Sequence, residues 1–215
     1  MKRITLGASG LEVFPVALGT GEYGIQPFPE DTARAQLDLY TELGGNFIDT
    51  AAIYNDWVEG ERSRSEKLIG RWLKDRQARD QVVISTKGGH PDFEDMRKGR
   101  LRPEDLEQDL TGSLERLQTD HVDLYFLHRD DISVPVAEIV DFLEQKRMDG
   151  RIHAYGFSNW TLERAMEARA YADKRGAEGF TVNQIYWSLA RVRPENIADT
   201  TLEAMTEAFH RYHAE

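Results

Sequence analysis

Six short, β-rich apolar runs, each followed by a helix-forming segment, constrain this chain more than any other feature. The runs are VALGT (Val16 to Thr20), NFIDTA, VVISTKG, VDLYFLH, AYGFSN and FTVNQI. Their apolar character is too continuous for strands with one face in water, which alternate apolar and polar residues. Helical starts and stops lie between them. Asp31 is expected to cap a helix ending at Gly44-Gly45, and Pro103 suits the first turn of a segment carrying Leu106, Leu110, Leu114 and Leu117. Thr161 precedes another helix, which gives way at Gly176. The final segment, ADTTLEAMTEAFHRYHAE, reads as one helix with a capping box in Thr200 and Glu203 and an apolar stripe of Leu202, Met205, Phe209 and Tyr212. Ahead of the first run, KRITLGASGLEVFP reads as a hairpin turning at Ala8-Ser9-Gly10.

Such alternation implies a parallel sheet with helical crossovers. Two α/β architectures compete. A doubly wound open sheet usually carries a glycine-rich phosphate fingerprint after its first strand, and LGTGEYG (Leu18 to Gly24) enters no helix directly, so it is a weak one. The other is the (β/α)8 TIM-type barrel, whose functional residues sit at the C-terminal ends of the strands. No linker, repeat or low-complexity stretch divides the 215 residues, so a single domain spanning 1–215 is expected.

The charge balance narrows the partners. Lys plus Arg number 27 against 38 Asp plus Glu, a net charge of −11 that repels nucleic acid and anionic membrane surfaces. There are no cysteines, which excludes disulfides, thiolate metal sites and a cysteine nucleophile and fits a cytoplasmic protein. The N-terminus lacks a signal-peptide core, and no run approaches the roughly 20 apolar residues that span a bilayer.

The runs turn polar at one end. The second ends at Asp49, the third at Lys87, the fourth at His128, the fifth at Ser158-Asn159 and the sixth at Gln184, with Tyr54 on the loop after Asp49. Singly these have ordinary structural roles: an ion pair, a core histidine, the cap of the next helix. In a parallel barrel all five ends share one face, and their conjunction points to a site. The residue types suggest its chemistry. A tyrosine of pKa about 10 is a poor proton donor at neutral pH, and an adjacent ammonium is expected to lower that value by stabilising the phenolate. A carboxylate paired with the lysine keeps the ammonium charged, and a histidine directs a hydrogen bond at the same oxygen.

At these residues the chain resembles the aldo-keto reductase family. GGNFIDTAAIY contains the Asp-Thr-Ala-x-x-Tyr pattern as Asp49, Thr50, Ala51 and Tyr54; STKGG supplies Lys87 and VDLYFLHR supplies His128. GRIHAYGFSNW and VNQIYWS match the family's fifth- and sixth-strand signatures. The resemblance implies reduction of an aldehyde or ketone by NADPH, with NADH the alternative, on a (β/α)8 barrel. It makes Asp49, Tyr54, Lys87 and His128 the catalytic set and assigns Ser158, Asn159 and Gln184 to the nicotinamide carboxamide. It requires no metal, and His210 and His213 read as a solvated pair. Trp57, His90 and Trp160 are placed to line the substrate pocket, with a packing role an equal alternative for either tryptophan.

Only the first six βα units are present, and the sequence stops at Glu215 where the resemblance implies a seventh strand. The expectation is an N-terminal part of a longer reductase. It lacks the family's main contacts to the cofactor's pyrophosphate and adenosine, and two open barrel edges dispose it to self-association. The alternatives are a cofactor-sensing regulatory subunit, as in potassium-channel β-subunits, and an inactive fragment. Which carbonyl compound is reduced is not written in these motifs.

Overall fold

The computed structural model describes residues 2–189, 193 and 196–214. An N-terminal hairpin pairs β1 (Ile4–Thr5) with β2 (Glu12–Val13). Six further strands follow: β3 (Leu18–Gly19), β4 (Phe47–Asp49), β5 (Val83–Gly88), β6 (Val122–Leu127), β7 (Ile152–Phe157) and β8 (Val182–Asn183). They form one all-parallel sheet in unbroken sequential order, β3 to β8. A doubly wound sheet would reverse that order, so the observed one selects the barrel alternative: an open six-stranded portion of a (β/α)8 barrel. Helices α1 (Glu30–Glu42), α2 (Arg64–Arg76), α3 (Pro103–Leu117), α4 (Val136–Met148), α5 (Leu162–Arg175) and α6 (Glu207–Ala214) alternate with the strands. Among the described residues no helix is long and apolar enough to cross a membrane.

The sequence pattern explains most of these elements. Pro103 opens α3, where its missing N–H costs nothing, and Leu106, Leu110, Leu114 and Leu117 are buried at helical spacing against the sheet. Thr161 caps α5 by accepting the Arg164 N–H at 3.2 Å, and Gly176 ends it in the left-handed region at φ 67°. On the inner face of the sheet Leu124, Phe126 and Ala154 cluster, joined by Phe47 and Val182 and by Leu6 and Leu11 of the hairpin. His153, near the start of β7, bonds the Ser9 carbonyl, and Asn46, just before β4, accepts the Phe14 N–H at 2.7 Å. The hairpin therefore covers the N-terminal end of the barrel and leaves the C-terminal end for the site.

Two helix expectations are corrected. Asp31 lies inside the first turn of α1, which Pro29 precedes, so it favours the helix dipole rather than capping. The last helix begins at Glu207, nine residues later than the sequence suggests, and no capping box forms at Thr200. Other partners take the amides that a longer helix would need: Thr201 N–H goes locally to the Asp199 side chain, and two go to distant groups, Glu203 N–H to Asn159 Oδ1 and Met205 N–H to the Tyr186 carbonyl. Thr206 caps the shorter helix by accepting from Phe209 N–H at 3.1 Å. Glu215 lies outside the described residues.

Candidate active site

The parallel ladder runs one step beyond the strands and so places their polar ends in register. His128 N–H donates to the Gly88 carbonyl at 2.8 Å, Ser158 N–H to Leu127 at 2.8 Å and Gln184 N–H to Phe157 at 2.9 Å. Asp49 closes β4 and Lys87 lies on β5 beside it. After Asp49 the chain turns tightly, with Tyr54 N–H bonded to the Ala51 carbonyl and Asn55 at φ 73°. Asn55 is buried and donates to the Tyr23 carbonyl at 2.6 Å, which holds that unusual backbone and folds Tyr54 back over the strand ends.

Lys87 is the hub. Its Nζ donates to Asp49 Oδ2 at 2.7 Å, to the Thr50 carbonyl at 2.8 Å and to the Tyr54 hydroxyl at 3.0 Å, and it lies 4.8 Å from the Tyr54 ring centroid. Three acceptors match the three N–H bonds of an ammonium, which is what makes a side chain 1% exposed tolerable as a cation. Burial alone would lower the Lys87 pKa, but Asp49 and Tyr54 outweigh it and hold it above the usual lysine value. The second Asp49 oxygen accepts Ser85 Oγ–H at 2.7 Å. Ser85 was not anticipated, although it is two residues before Lys87 and thus on the same face of β5.

Tyr54 departs from expectation in one respect. Lys87 does pull its pKa down, but burial acts more strongly, and the hydroxyl lies above the ordinary phenol value. The phenol therefore holds its proton at neutral pH. His128 packs edge-on to Tyr54, ring centroids 6.1 Å apart. Burial, then the Lys87 ammonium, then His90 push His128 well below the ordinary imidazole range, so the ring is neutral. Its Nδ1 is buried and has no hydrogen-bond partner among the described residues.

The other three expected residues gather beside this group. Ser158 Oγ–H donates to the Gln184 carbonyl at 2.5 Å; Asn159 Nδ2–H donates to Ser158 Oγ at 2.9 Å and to the His128 carbonyl at 3.1 Å. Asn159, at φ 60°, also accepts the Glu203 N–H at 3.3 Å through Oδ1. Gln184 is exposed. Arg129, overlooked in the sequence, ties this corner together through the His128 carbonyl, Thr201 Oγ1 and Asp199.

The aromatic residues divide. Trp57 and His90 do border the site: Trp57 lies edge-on to Tyr54 at 6.4 Å and His90 edge-on to His128 at 4.9 Å. Trp160 does not. It is fully buried among Phe157, Phe180 and the Arg164 guanidinium, a core residue between β7 and α5. A cleft of about 1640 Å³ runs outward from His90 and Phe93 along α3, with Arg100 and Asp105 among its walls. Lys87, Tyr54 and His128 are not part of its lining, so the polar cluster stands at the margin of the cleft.

The comparisons with known proteins concern the family and the fold. A thermostable aldo-keto reductase, Tm1743, solved with the inhibitor epalrestat, has the same fold at a TM-score of 0.71 and 26% identity, over 87% of this chain and 63% of that one. Aldo-keto reductase ausK of Aspergillus calidoustus is 33% identical over 88% of this chain and 50% of its own length. The uncharacterized oxidoreductase YrpG of Bacillus subtilis is 35% identical over 88% of this chain and 59% of its own length. The chain thus spans about half the length of the curated relatives it matches. The model of the Aldo/keto reductase family matches residues 15–205, and with the sheet order and the strand-end cluster this places the chain in that family.

Proposed function

We propose that this chain carries the acid–base apparatus of an NADPH-dependent reductase acting on aldehydes or ketones, with NADH as the alternative donor. The observation that carries the reading is the Lys87 ammonium held at once by Asp49, the Thr50 carbonyl and the Tyr54 hydroxyl. A bound reduced nicotinamide supplies the hydride that becomes the new C–H bond. The Tyr54 O–H would give its proton to the carbonyl oxygen, so that the carbonyl becomes an alcohol, the nicotinamide is oxidised and Tyr54 is left as the phenolate. Burial raises the Tyr54 pKa and so keeps the group protonated before the reaction but makes it a weaker acid, and the transfer therefore relies on the Lys87 ammonium to stabilise the phenolate as it forms. Lys87, 3.0 Å away, stabilises the phenolate left behind, and Asp49 keeps Lys87 in place. His128, being neutral, can donate one N–H to the same carbonyl oxygen and so orient it.

Ser158, Asn159 and Gln184 are the residues that would hold the nicotinamide carboxamide. Their chemistry fits an amide: Asn159 Oδ1 keeps a second lone pair for an N–H, and the exposed Gln184 side chain offers both a donor and an acceptor.

The test is carbonyl-dependent oxidation of NADPH by the chain and by Tyr54→Phe. Loss of the proton donor is expected to lower turnover by roughly 10²–10⁴-fold, with an unchanged circular dichroism spectrum. A Tyr54→Phe rate within about twofold of the parent, or no turnover by the parent itself, refutes the reading.

A further inference from the structure

His128 is held firmly by its backbone and loosely by its side chain. Its N–H bonds Gly88, and its carbonyl accepts from Arg129 and Asn159. Among the described residues no hydrogen bond anchors the buried Nδ1, which in most sites would fix the orientation of the ring and the location of its proton. The ring is instead confined by two edge-on neighbours, Tyr54 at 6.1 Å and 77° and His90 at 4.9 Å and 67°.

His90 is the nearer of the two, and it is itself braced on several sides. Gly89, at φ 71°, turns the chain after β5; a Cβ there would fall 2.4 Å from Leu101 Cδ2. The Gly89 N–H donates to Asp109 Oδ2 at 2.8 Å, Asp109 Oδ1 accepts from Arg100 at 2.7 Å, and Arg100 also donates to the His90 carbonyl at 3.3 Å. The imidazole bonds the Pro91 carbonyl through Nδ1 at 2.6 Å. A carbonyl only accepts, so Nδ1 carries the proton and Nε2 the lone pair. Phe93 packs on the ring as well, tilted by 45° with centroids 5.2 Å apart. His90, 4% exposed, therefore cannot turn, and it presents a fixed ring to one that lacks its own anchor.

We propose that His90 is a positioning residue that, through this ring contact, sets the rotation of the His128 side chain and hence the aim of the nitrogen used in the reduction. The inference rests on the reductase reading for its functional half alone; its structural half concerns the His128 ring with or without turnover. It needs the flat ring of His90, whereas its nitrogens serve only to hold that ring in place.

The experiment uses the 215-residue chain labelled with ¹⁵N-histidine, with the His128 ring signals identified by their loss in His128→Asn. One His128 tautomer with a single set of shifts is expected in the parent and in His90→Phe, which keeps a ring. His90→Leu, similar in bulk but not flat, is expected to show averaged tautomer signals. Where NADPH-dependent reduction is measurable, His90→Leu should lower kcat by roughly three- to tenfold with KM changed less than about twofold, and His90→Phe should restore most of it. Unchanged His128 signals in His90→Leu, or a His90→Phe that behaves like His90→Leu, overturn the proposal. So does tautomer averaging in the parent, a result obtained even where a variant does not fold. If the ring signals respond as expected while the parent reduces no carbonyl, the reductase reading fails and the positioning of His128 stands.

Discussion

Replacing Lys87 by methionine removes a cation that three acceptors hold inside the protein. At the 2.7 Å separation of Lys87 and Asp49, two unit charges in an effective dielectric of about 20 attract by roughly 6 kcal/mol. Desolvation of both groups offsets much of that attraction, so the pair by itself stabilises the fold only modestly. Breaking it is another matter. In Lys87→Met the Asp49 carboxylate, 7% exposed, loses its ammonium partner and keeps the Ser85 Oγ–H as a neutral donor. The expected loss is about 3–5 kcal/mol, the usual consequence of stranding one buried charge. Changing both residues, Asp49→Asn with Lys87→Met, removes the stranded charge and should lie within about 2 kcal/mol of the parent. The two substitutions are thus strongly non-additive, with the double variant more stable than Lys87→Met. Urea unfolding followed by circular dichroism measures this through the midpoint, provided the slope is unchanged among variants. A Lys87→Met loss below about 1 kcal/mol, or a double variant whose loss is the sum of the singles, would refute the reasoning.

Acid should weaken the fold through its buried histidines. His90 and His128 both have folded-state pKa values below the ordinary 6.5, so the unfolded chain binds more protons as pH drops past that point. Their contribution is present above about pH 6.5 and is lost below it, and His90→Phe should flatten the fall in melting temperature on acidification; an equally steep fall in that variant contradicts the assignment. Gly70→Ala, a change that raises helix propensity, should nevertheless destabilise by about 1–3 kcal/mol, because overpacking outweighs propensity here. The added Cβ would come 2.1 Å from the Arg116 carbonyl of α3, and a melting temperature at or above the parent's would show that the two helices are not in such close contact.

The strands and their polar ends were legible because both are local signals: an apolar run, and the residue type at which it stops. Asp49, Lys87 and His128 could be placed on one face from chain order alone, since a parallel sheet aligns its C-terminal ends. Tyr54 joined them because a short loop leaves it little freedom. What escaped depends on distant partners. Residues 198–206 carry a helical pattern, yet Asn159 and Tyr186 compete for their amides and win, and no periodicity count includes such partners. Trp160 follows a strand as a pocket residue would, but its ring turns into the layer between β7 and α5. The pKa of Tyr54 failed for a similar reason. The neighbouring Lys87 was visible in the sequence, while the depth of burial that outweighs it is a property of the fold.

The sheet tapers. Strands β5, β6 and β7 each run six residues, whereas β3 and β8 have two. Backbone amides of β6 are shielded on both sides by the longest ladders, while those at the margins depend on a couple of bonds and exchange with solvent through small local openings. Lys87 lies on one of the long central strands, and His128 directly follows another. Ser158 and Asn159 follow the third, but Gln184 hangs from the two-residue β8. Fraying at that margin releases Gln184 and the Ser158 bond to its carbonyl without touching the Lys87 ammonium or its acceptors. Strand length is thus graded across one surface, long beneath Lys87 and His128 and short beneath Gln184.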